Sequence, residues 1–346
     1  MNRPSAVIVL AAGQGTRMKS TTPKVLHEMC GRPLLGHAIV AAEAANPHHV
    51  VAVIRHQRDR VAQAIEQFAP DTILADQDEI PGTGRAVQCG LDALHEAVGS
   101  VDGTVLVTSA DVPLLKGDTL VELTRAHEEA NNAVTVVTTI VDDATGYGRI
   151  IRTGGNVTAI VEHRDATEDQ LAINEINAGI YAFDAQFLAK TLPSLGTDND
   201  QGEVYLTDTI SAAVDEGRQC GAFVLSDEWQ AQGCNDRAQL AELREEMNRR
   251  ILTEHMREGV SIISPANTFI DVDVAIGPDT TIEPGCVLEG ETTIEPHSVI
   301  GPHTTLRNTT VGTGSILPHC FAFDTEIPEG TVLAPFTQVT PADRGE

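Results

Sequence analysis

A six-residue beat in the last part of the chain restricts its fold more than any other feature. Aliphatic residues recur at Ile270, Ile276, Ile282, Leu288, Ile294, Ile300 and Leu306. After a one-residue slip the series resumes at Val311, Leu317 and Phe323, and after a second slip at Ile327, Leu333 and Val339. Small residues stand four places after the aliphatic ones, at Thr280, Cys286, Thr292, Ser298, Thr304, Thr310 and Ser315, and pairs such as Gly277-Pro278 and Pro284-Gly285 mark turns between them. Neither the 3.6 period of a helix nor the 2 period of a strand produces this pattern. A triangular parallel β-helix does: each hexapeptide makes one face, and its aliphatic side chain fills the axis. The tract predicts roughly four coils.

The N-terminal part follows a different rule. Apolar runs of strand length, Ala6–Leu10, Val50–Ile54, Thr72–Ala75 and Thr104–Thr108, alternate with segments of helical spacing at Leu34–Ala45, Gln57–Phe68 and Ala86–Val98. Strand, helix, strand implies right-handed βαβ units, and continuous rather than alternating apolar runs imply strands covered on both faces. The expected class is therefore α/β, a Rossmann-like domain with a mostly parallel sheet followed by a short parallel β-helix. From about residue 133 the pattern loosens into Val134–Val141, Ile150-Ile151, Val157–Val161 and Ile180–Phe183, read as a smaller mixed lobe inserted beside the sheet. Asp236 with Gln239 three residues on predicts a capped helix whose apolar stripe is Leu240, Leu243, Met247 and Ile251 and which Gly259 stops. These signals divide the chain into 1–234, a connecting helix over 235–259, and 260–346.

Charge narrows the function. The net charge of −27, from 50 acidic and 23 basic residues, opposes nucleic acid and anionic membrane surfaces as partners. Residues 1–50 depart from it: Arg3, Arg17, Lys19, Lys24 and Arg32 face only Glu28 and Glu43 there, and the whole chain has only four lysines. A local positive site in an acidic protein suggests an anionic small ligand. The six cysteines show no Cys-x-x-Cys pair, which predicts reduced structural thiols and a cytoplasmic protein. The apolar run Ala6–Gly13 lacks a small-x-small cleavage site and reads as a buried first strand rather than a leader.

The chemistry concentrates in Leu10-Ala11-Ala12-Gly13-Gln14-Gly15-Thr16-Arg17-Met18, followed by Pro23-Lys24. Glycines directly after a strand let backbone N–H groups turn toward an anion, and Arg17 and Lys24 can neutralise a triphosphate. The Gly-Lys-Ser/Thr of a Walker loop is absent, and the dinucleotide fingerprint breaks at Met18, where a third glycine belongs. Asp111 lies at a strand end, where α/β sheets bind ligands, although a lone aspartate there is more often a helix cap. Gly82-Thr83-Gly84 by itself reads as a simple helix-start turn.

This segment resembles the signature of the sugar-nucleotide pyrophosphorylases. Together with the hexapeptide tract, the chain is similar from Val7 to about Phe336 to the bacterial bifunctional N-acetylglucosamine-1-phosphate uridylyltransferase / glucosamine-1-phosphate acetyltransferase family. The resemblance implies Mg²⁺-dependent uridylyl transfer from UTP to N-acetylglucosamine-1-phosphate, giving UDP-N-acetylglucosamine and pyrophosphate. It also implies a left-handed coil for the β-helix and a homotrimer built through it. By position it assigns Leu10, Ala11, Ala12, Gly13, Gly15, Lys24, Gln77, Gly82 and Thr83 to the nucleotide. Ser109, Asp111, Gly148, Glu162, Asn177 and Asn235 go to the sugar, Asp111 and Asn235 to the metal, and Arg17, Lys24 and Asp111 to catalysis. Arg85 and Ala110 depart from the residues common in the family. The Arg-rich segment expected after Pro335-Phe336 reads Thr337-Gln-Val-Thr-Pro341, so acetyltransferase activity is expected to be absent. A pyrophosphorylase for UDP-glucose or a dTDP-sugar is the alternative. A non-catalytic regulatory subunit is disfavoured by the retained Arg17, Lys24, Asp111 and Asn235.

Overall fold

A computed structural model describes residues 3–341, which divide into two compact units: the chain up to His27 with Pro33–Gln239, and Glu28–Arg32 with the chain from Leu240 onward. The first unit is built from β1 (Ala6–Leu10), α1 (Leu34–Ala44), β2 (His49–Ile54), α2 (Arg58–Phe68), β3 (Ile73–Asp76), α3 (Thr83–Val98), β4 (Thr104–Ser109) and α4 (Gly117–Glu129). It continues with β5 (Val134–Ile140), the hairpin β6 (Arg149–Thr153) and β7 (Asn156–Val161), β8 (Glu175–Asp184), α5 (Ala185–Thr191), α6 (Asp208–Asp215) and β9 (Cys220–Val224). One nine-stranded sheet runs β9–β5–β8–β4–β1–β2–β3, with β6 and β7 branching from β8.

The central pairings β1–β2, β1–β4 and β2–β3 are parallel, as is β9 on β5. Ala6, Val7, Ile8 and Val9 are all fully buried, because helices cover both faces. Ala6 and Ile8 join one apolar cluster and Val7 and Val9 the other. The expected separate lobe after residue 133 does not exist. β5 is buried from Val134 to Thr139 and belongs to the main sheet, and β8 inserts antiparallel between β5 and β4. Only the β6–β7 hairpin lies off the sheet's main path. Among the described residues, no helix is long and apolar enough to cross a membrane.

Helix α7 (Arg237–Arg257) is capped as expected: Asp236 Oδ1 accepts from the N–H of Ala238 at 2.9 Å and of Gln239 at 3.0 Å. The division between the two units falls within this helix, after Gln239. Its buried face also differs from the expected stripe. Leu240, Leu243, Glu246, Asn248, Leu252 and His255 are buried, and Met247 and Ile251 only half-buried. The polar members have partners. Glu246 binds the guanidinium groups of Arg249 and Arg250, while Asn248 donates to Thr268 O at 2.8 Å and accepts from Ile270 N at 3.1 Å, completing a first-coil backbone that has no coil beneath it.

The second unit forms three parallel sheets of short strands, the three faces expected of hexapeptide repeats and consistent with a left-handed β-helix. Ile262, Ile282, Ile300 and Leu317 stack along one face, Ile270, Leu288, Leu306, Ala322 and Val339 along the second, and Ile276, Ile294, Val311 and Ile327 along the third. Two positions correct the expectations drawn from the repeat. Ala322, not Phe323, occupies the axis. The corner after Leu317 is one residue short, and strand alternation then turns Phe321 and Phe323 outward, the Phe323 ring lying 4.8 Å from the Arg307 guanidinium. The buried small residue after Leu306 is Thr309, while Thr310 is exposed, because the first slip precedes it rather than following it.

Candidate active site

The carboxyl ends of β1, β2, β3 and β4 open into a cleft of about 780 Å³ in the first unit. Its lining includes Leu10, Ala11, Ala12, Gly13, Lys24, Gln77, Gly82, Thr83, Ser109, Asp111, Gly148, Glu162, Asn177 and Asn235. Arg17 and Gly15 are not among the lining residues. Arg17 Nη2 instead donates to Asn235 Oδ1 at 2.8 Å, one step behind the wall. Gly15, at φ 65°, acts sterically: a Cβ there would stand 2.4 Å from Lys24 Cβ, so the glycine makes room for the lysine stem. Gly13 has nothing within 4 Å of the place where its Cβ would be, leaving its backbone open to the cleft.

Lys24 and Asp111 meet at the centre. Lys24 Nζ lies 2.5 Å from Asp111 Oδ2, and Ser109 donates to Asp111 Oδ1 at 2.6 Å, so both carboxylate oxygens have partners. Asn235 is brought alongside by a backbone bond from Cys234 N to Asp111 O at 2.8 Å, and its own N–H donates to Gln239 Oε1 at 2.8 Å. A Cβ on Gly233 would lie 3.9 Å from both the Asp111 carboxyl carbon and the Asn235 amide nitrogen, so Gly233 runs alongside both groups. Burial, then the Asp111 charge, raises the Tyr147 phenol above its ordinary range.

One end of the cleft carries the Gln77–Thr83 loop. Gln77 Nε2 donates to Ile80 O at 3.0 Å and to Gly82 O at 3.3 Å. Gly82 sits at φ 121°, and a Cβ there would run within 2.2 Å of Val204 O. Val204 N donates to Pro81 O, Gly84 N to Val204 O and Leu206 N to Thr83 Oγ1, which sews the 203–207 segment onto this loop.

At the other end, a Cβ on Gly148 would approach both oxygens of Glu162 at 3.5 Å, and Asn177 N donates to Gly148 O at 2.9 Å. Burial raises the Glu162 carboxyl above the usual range, with the Asp165 and Asp208 charges adding to the rise and a 3.5 Å bond from Thr207 Oγ1 opposing it. Asn177 donates to Tyr181 Oη at 2.7 Å and accepts from Gly179 N at 2.9 Å.

Arg55, His56, Tyr147, Glu203, Thr207 and Tyr181 line the cleft without having been singled out from the sequence. Arg55-His56 directly follow β2 and could have been found by the rule that pointed to Asp111. The Glu203–Thr207 segment offered neither glycine nor periodicity, and only its pairing with the loop at Pro81–Gly84 brings it to the site.

Residues 7–153 match the family described as MobA-like NTP transferase domain, and residues 273–308 match the bacterial transferase hexapeptide of six repeats. The bifunctional protein GlmU of Kineococcus radiotolerans is 50% identical over 341 residues, covering 99% of this chain and 69% of its own length. That of Paenarthrobacter aurescens is 49% identical, covering 98% and 68%, and that of Streptomyces coelicolor 46%, covering 99% and 71%. The chain belongs to the bifunctional GlmU family. It is thus a nucleotidyltransferase, in which an NTP transferase domain is followed by hexapeptide repeats.

Proposed function

We propose that this chain transfers a uridylyl group from UTP to N-acetylglucosamine-1-phosphate with Mg²⁺, releasing pyrophosphate. The observation that carries this reading is the single cleft that joins an open glycine backbone, a Lys24–Asp111 pair and a carboxylate–amide end at Glu162 and Asn177. A phosphate oxygen of the sugar phosphate forms a bond to the α-phosphorus of UTP, and the α–β anhydride bond breaks with its electron pair leaving on pyrophosphate. The attacking phosphate is already ionised, so no strong general base is needed. The protein has to hold two anions together in line and to stabilise the charge that develops.

In this reading the N–H groups around Gly13 and the cations Lys24 and Arg55 meet the triphosphate. Gln77 with Gly82-Thr83 meets the base and ribose, and Gly148, Glu162 and Asn177 meet the hydroxyls and acetamido group of the sugar. Arg17 acts from behind by orienting Asn235. The oxygens of Asp111 and Asn235 are hard donors that suit Mg²⁺ completed by waters and phosphates; among the described residues no cluster of three or more His, Cys, Asp or Glu side chains competes as a metal site. A bound Mg²⁺ supplies charge neutralisation between the substrates' phosphates. A cytoplasmic setting and a homotrimer formed through the β-helix belong to the same reading. The first is favoured by the cysteine spacing, the second by the exposed Phe269 and Phe321 on one outer face.

A panel of sugar-1-phosphates against UTP, dTTP and CTP, scored by pyrophosphate release, should give its highest kcat/KM for UTP with N-acetylglucosamine-1-phosphate. A preference for glucose-1-phosphate or for dTTP would sink the substrate assignment. Asp111→Ala should keep its circular dichroism spectrum and lose about a hundred- to a thousandfold in kcat, the scale of deleting an electrostatic centre; near-normal turnover would remove Asp111 from the mechanism.

A further inference from the structure

Strand β8 breaks its register where it crosses the cleft. Asn177 pairs with Thr138 of β5, yet Tyr181, four residues on, pairs with Val136, only two residues back along the partner. The surplus backbone bulges at Ala178–Ile180, with Gly179 at φ 72°. Bulges next to binding sites re-aim side chains, and this one closes a short polar chain. Gly179 N–H donates to Asn177 Oδ1 at 2.9 Å, and that bond fixes which end of the amide is oxygen. The amide nitrogen must then be the donor to Tyr181 Oη, at 2.7 Å.

Tyr181 is itself held hard. Its side chain is only 3% exposed, its ring stacks on Phe183 with centroids 5.6 Å apart, and both flanking strands pair with it. Burial, then the Glu162 charge, pushes its phenol well above the ordinary range, so it stays neutral and keeps a lone pair for the amide. With one amide hydrogen on Tyr181 and one oxygen lone pair on Gly179, Asn177 has one hydrogen and one lone pair left to offer into the cleft.

We propose that Tyr181 is a positioning residue for recognition of the sugar: it fixes the rotamer of Asn177, and so decides which groups of the sugar phosphate the cleft accepts. The inference rests on the sugar-binding role proposed above for Asn177. A preset amide reads a substituent that presents a matching acceptor and donor, as an acetamido group does, and rejects a sugar that leaves its polar atoms unpaired. Without Tyr181 Oη the amide nitrogen loses its partner and only the Gly179 bond still holds the side chain, so loss of that hydroxyl should cost discrimination more than turnover.

The test is Tyr181→Phe in the full chain, which keeps the ring and removes only the hydroxyl. The expected result is about a tenfold rise in KM for N-acetylglucosamine-1-phosphate, with kcat and the KM for UTP within about twofold of the parent. The preference over glucose-1-phosphate should fall by a similar factor. A merely structural role would lower the melting temperature and weaken both sugars alike, and that outcome overturns the proposal. The Asn177→Ala background supplies the second arm. There the added Tyr181→Phe change should alter the sugar KM by less than about twofold, because the two residues act as one unit. An undiminished effect in that background would mean that Tyr181 does not work through Asn177, and would overturn it. A parent enzyme that does not turn over N-acetylglucosamine-1-phosphate refutes the substrate assignment; a parent that does, paired with an unchanged Tyr181→Phe variant, refutes only this inference.

Discussion

One buried group shows how a single residue can tie stability to pH. His127 on α4 is 3% exposed, its Nδ1 lies 2.9 Å from Thr135 Oγ1, and Asn132 Nδ2 donates to the same hydroxyl at 3.0 Å. Burial, helped by the Arg218 charge and opposed by that of Asp184, pushes its pKa down to about 4, against 6.5 for a free imidazole. The neutral ring is therefore the one that the fold favours. Its contribution is complete above pH 6.5 and is lost as the pH falls from 6.5 toward 4, by up to about 3 kcal/mol across that window. Urea midpoints of the parent should drop over this range, and those of His127→Gln should drop less steeply; equal slopes would show that His127 is not a source of the acid sensitivity. The catalytic candidates were legible at this scale wherever a residue type is demanded by chemistry: a cation after a glycine turn, a carboxylate at a strand end. Tyr181 was not, because its meaning lies in a hydrogen bond to Asn177 that exists only after β8 has bulged.

Elements were legible in proportion to how local their signals are. β1, β2 and β4 were visible as continuous apolar runs, and the observed ends of α1 and α2 lie within one residue of the expected ones. The hexapeptide tract was visible because each repeat packs only on its neighbours, so its period survives in sequence. Where the repeat slips, the local period is off by one residue, and Ala322 fills the axis position that the period assigns to Phe323. The axis itself should be stiff. Leu288 is fully buried and stacked between Ile270 and Leu306, so Leu288→Ala should destabilise the β-helix by about 3 kcal/mol through lost burial and a residual cavity. Guanidinium unfolding followed by far-ultraviolet circular dichroism measures this, and a loss under about 0.5 kcal/mol would mean that the coils close over the gap.

For the molecule as a whole, the net charge of −27 is the dominant long-range term. It sets the condition under which the proposed homotrimer should be observed. Three strongly acidic chains repel one another, and salt screens that repulsion within about 10 Å at 0.1 M ionic strength. Sedimentation equilibrium should give three chain masses at moderate salt, with dissociation favoured as salt is withdrawn. A single chain mass at every salt concentration would rule the assembly out.

By itself the sequence determined the two architectures, the order in which they follow one another, and most of the residue types that line the cleft. Each of these is written in short-range patterns: apolar runs, a period of six, glycines beside cations. Tertiary structure alone decided that β5 and β8 join the main sheet rather than forming a lobe, that Glu203 and Thr207 reach the cleft, and that Tyr181 holds Asn177. Those outcomes depend on strand pairings and contacts between residues far apart in the chain, and no local propensity encodes which distant partner a strand or a side chain will meet.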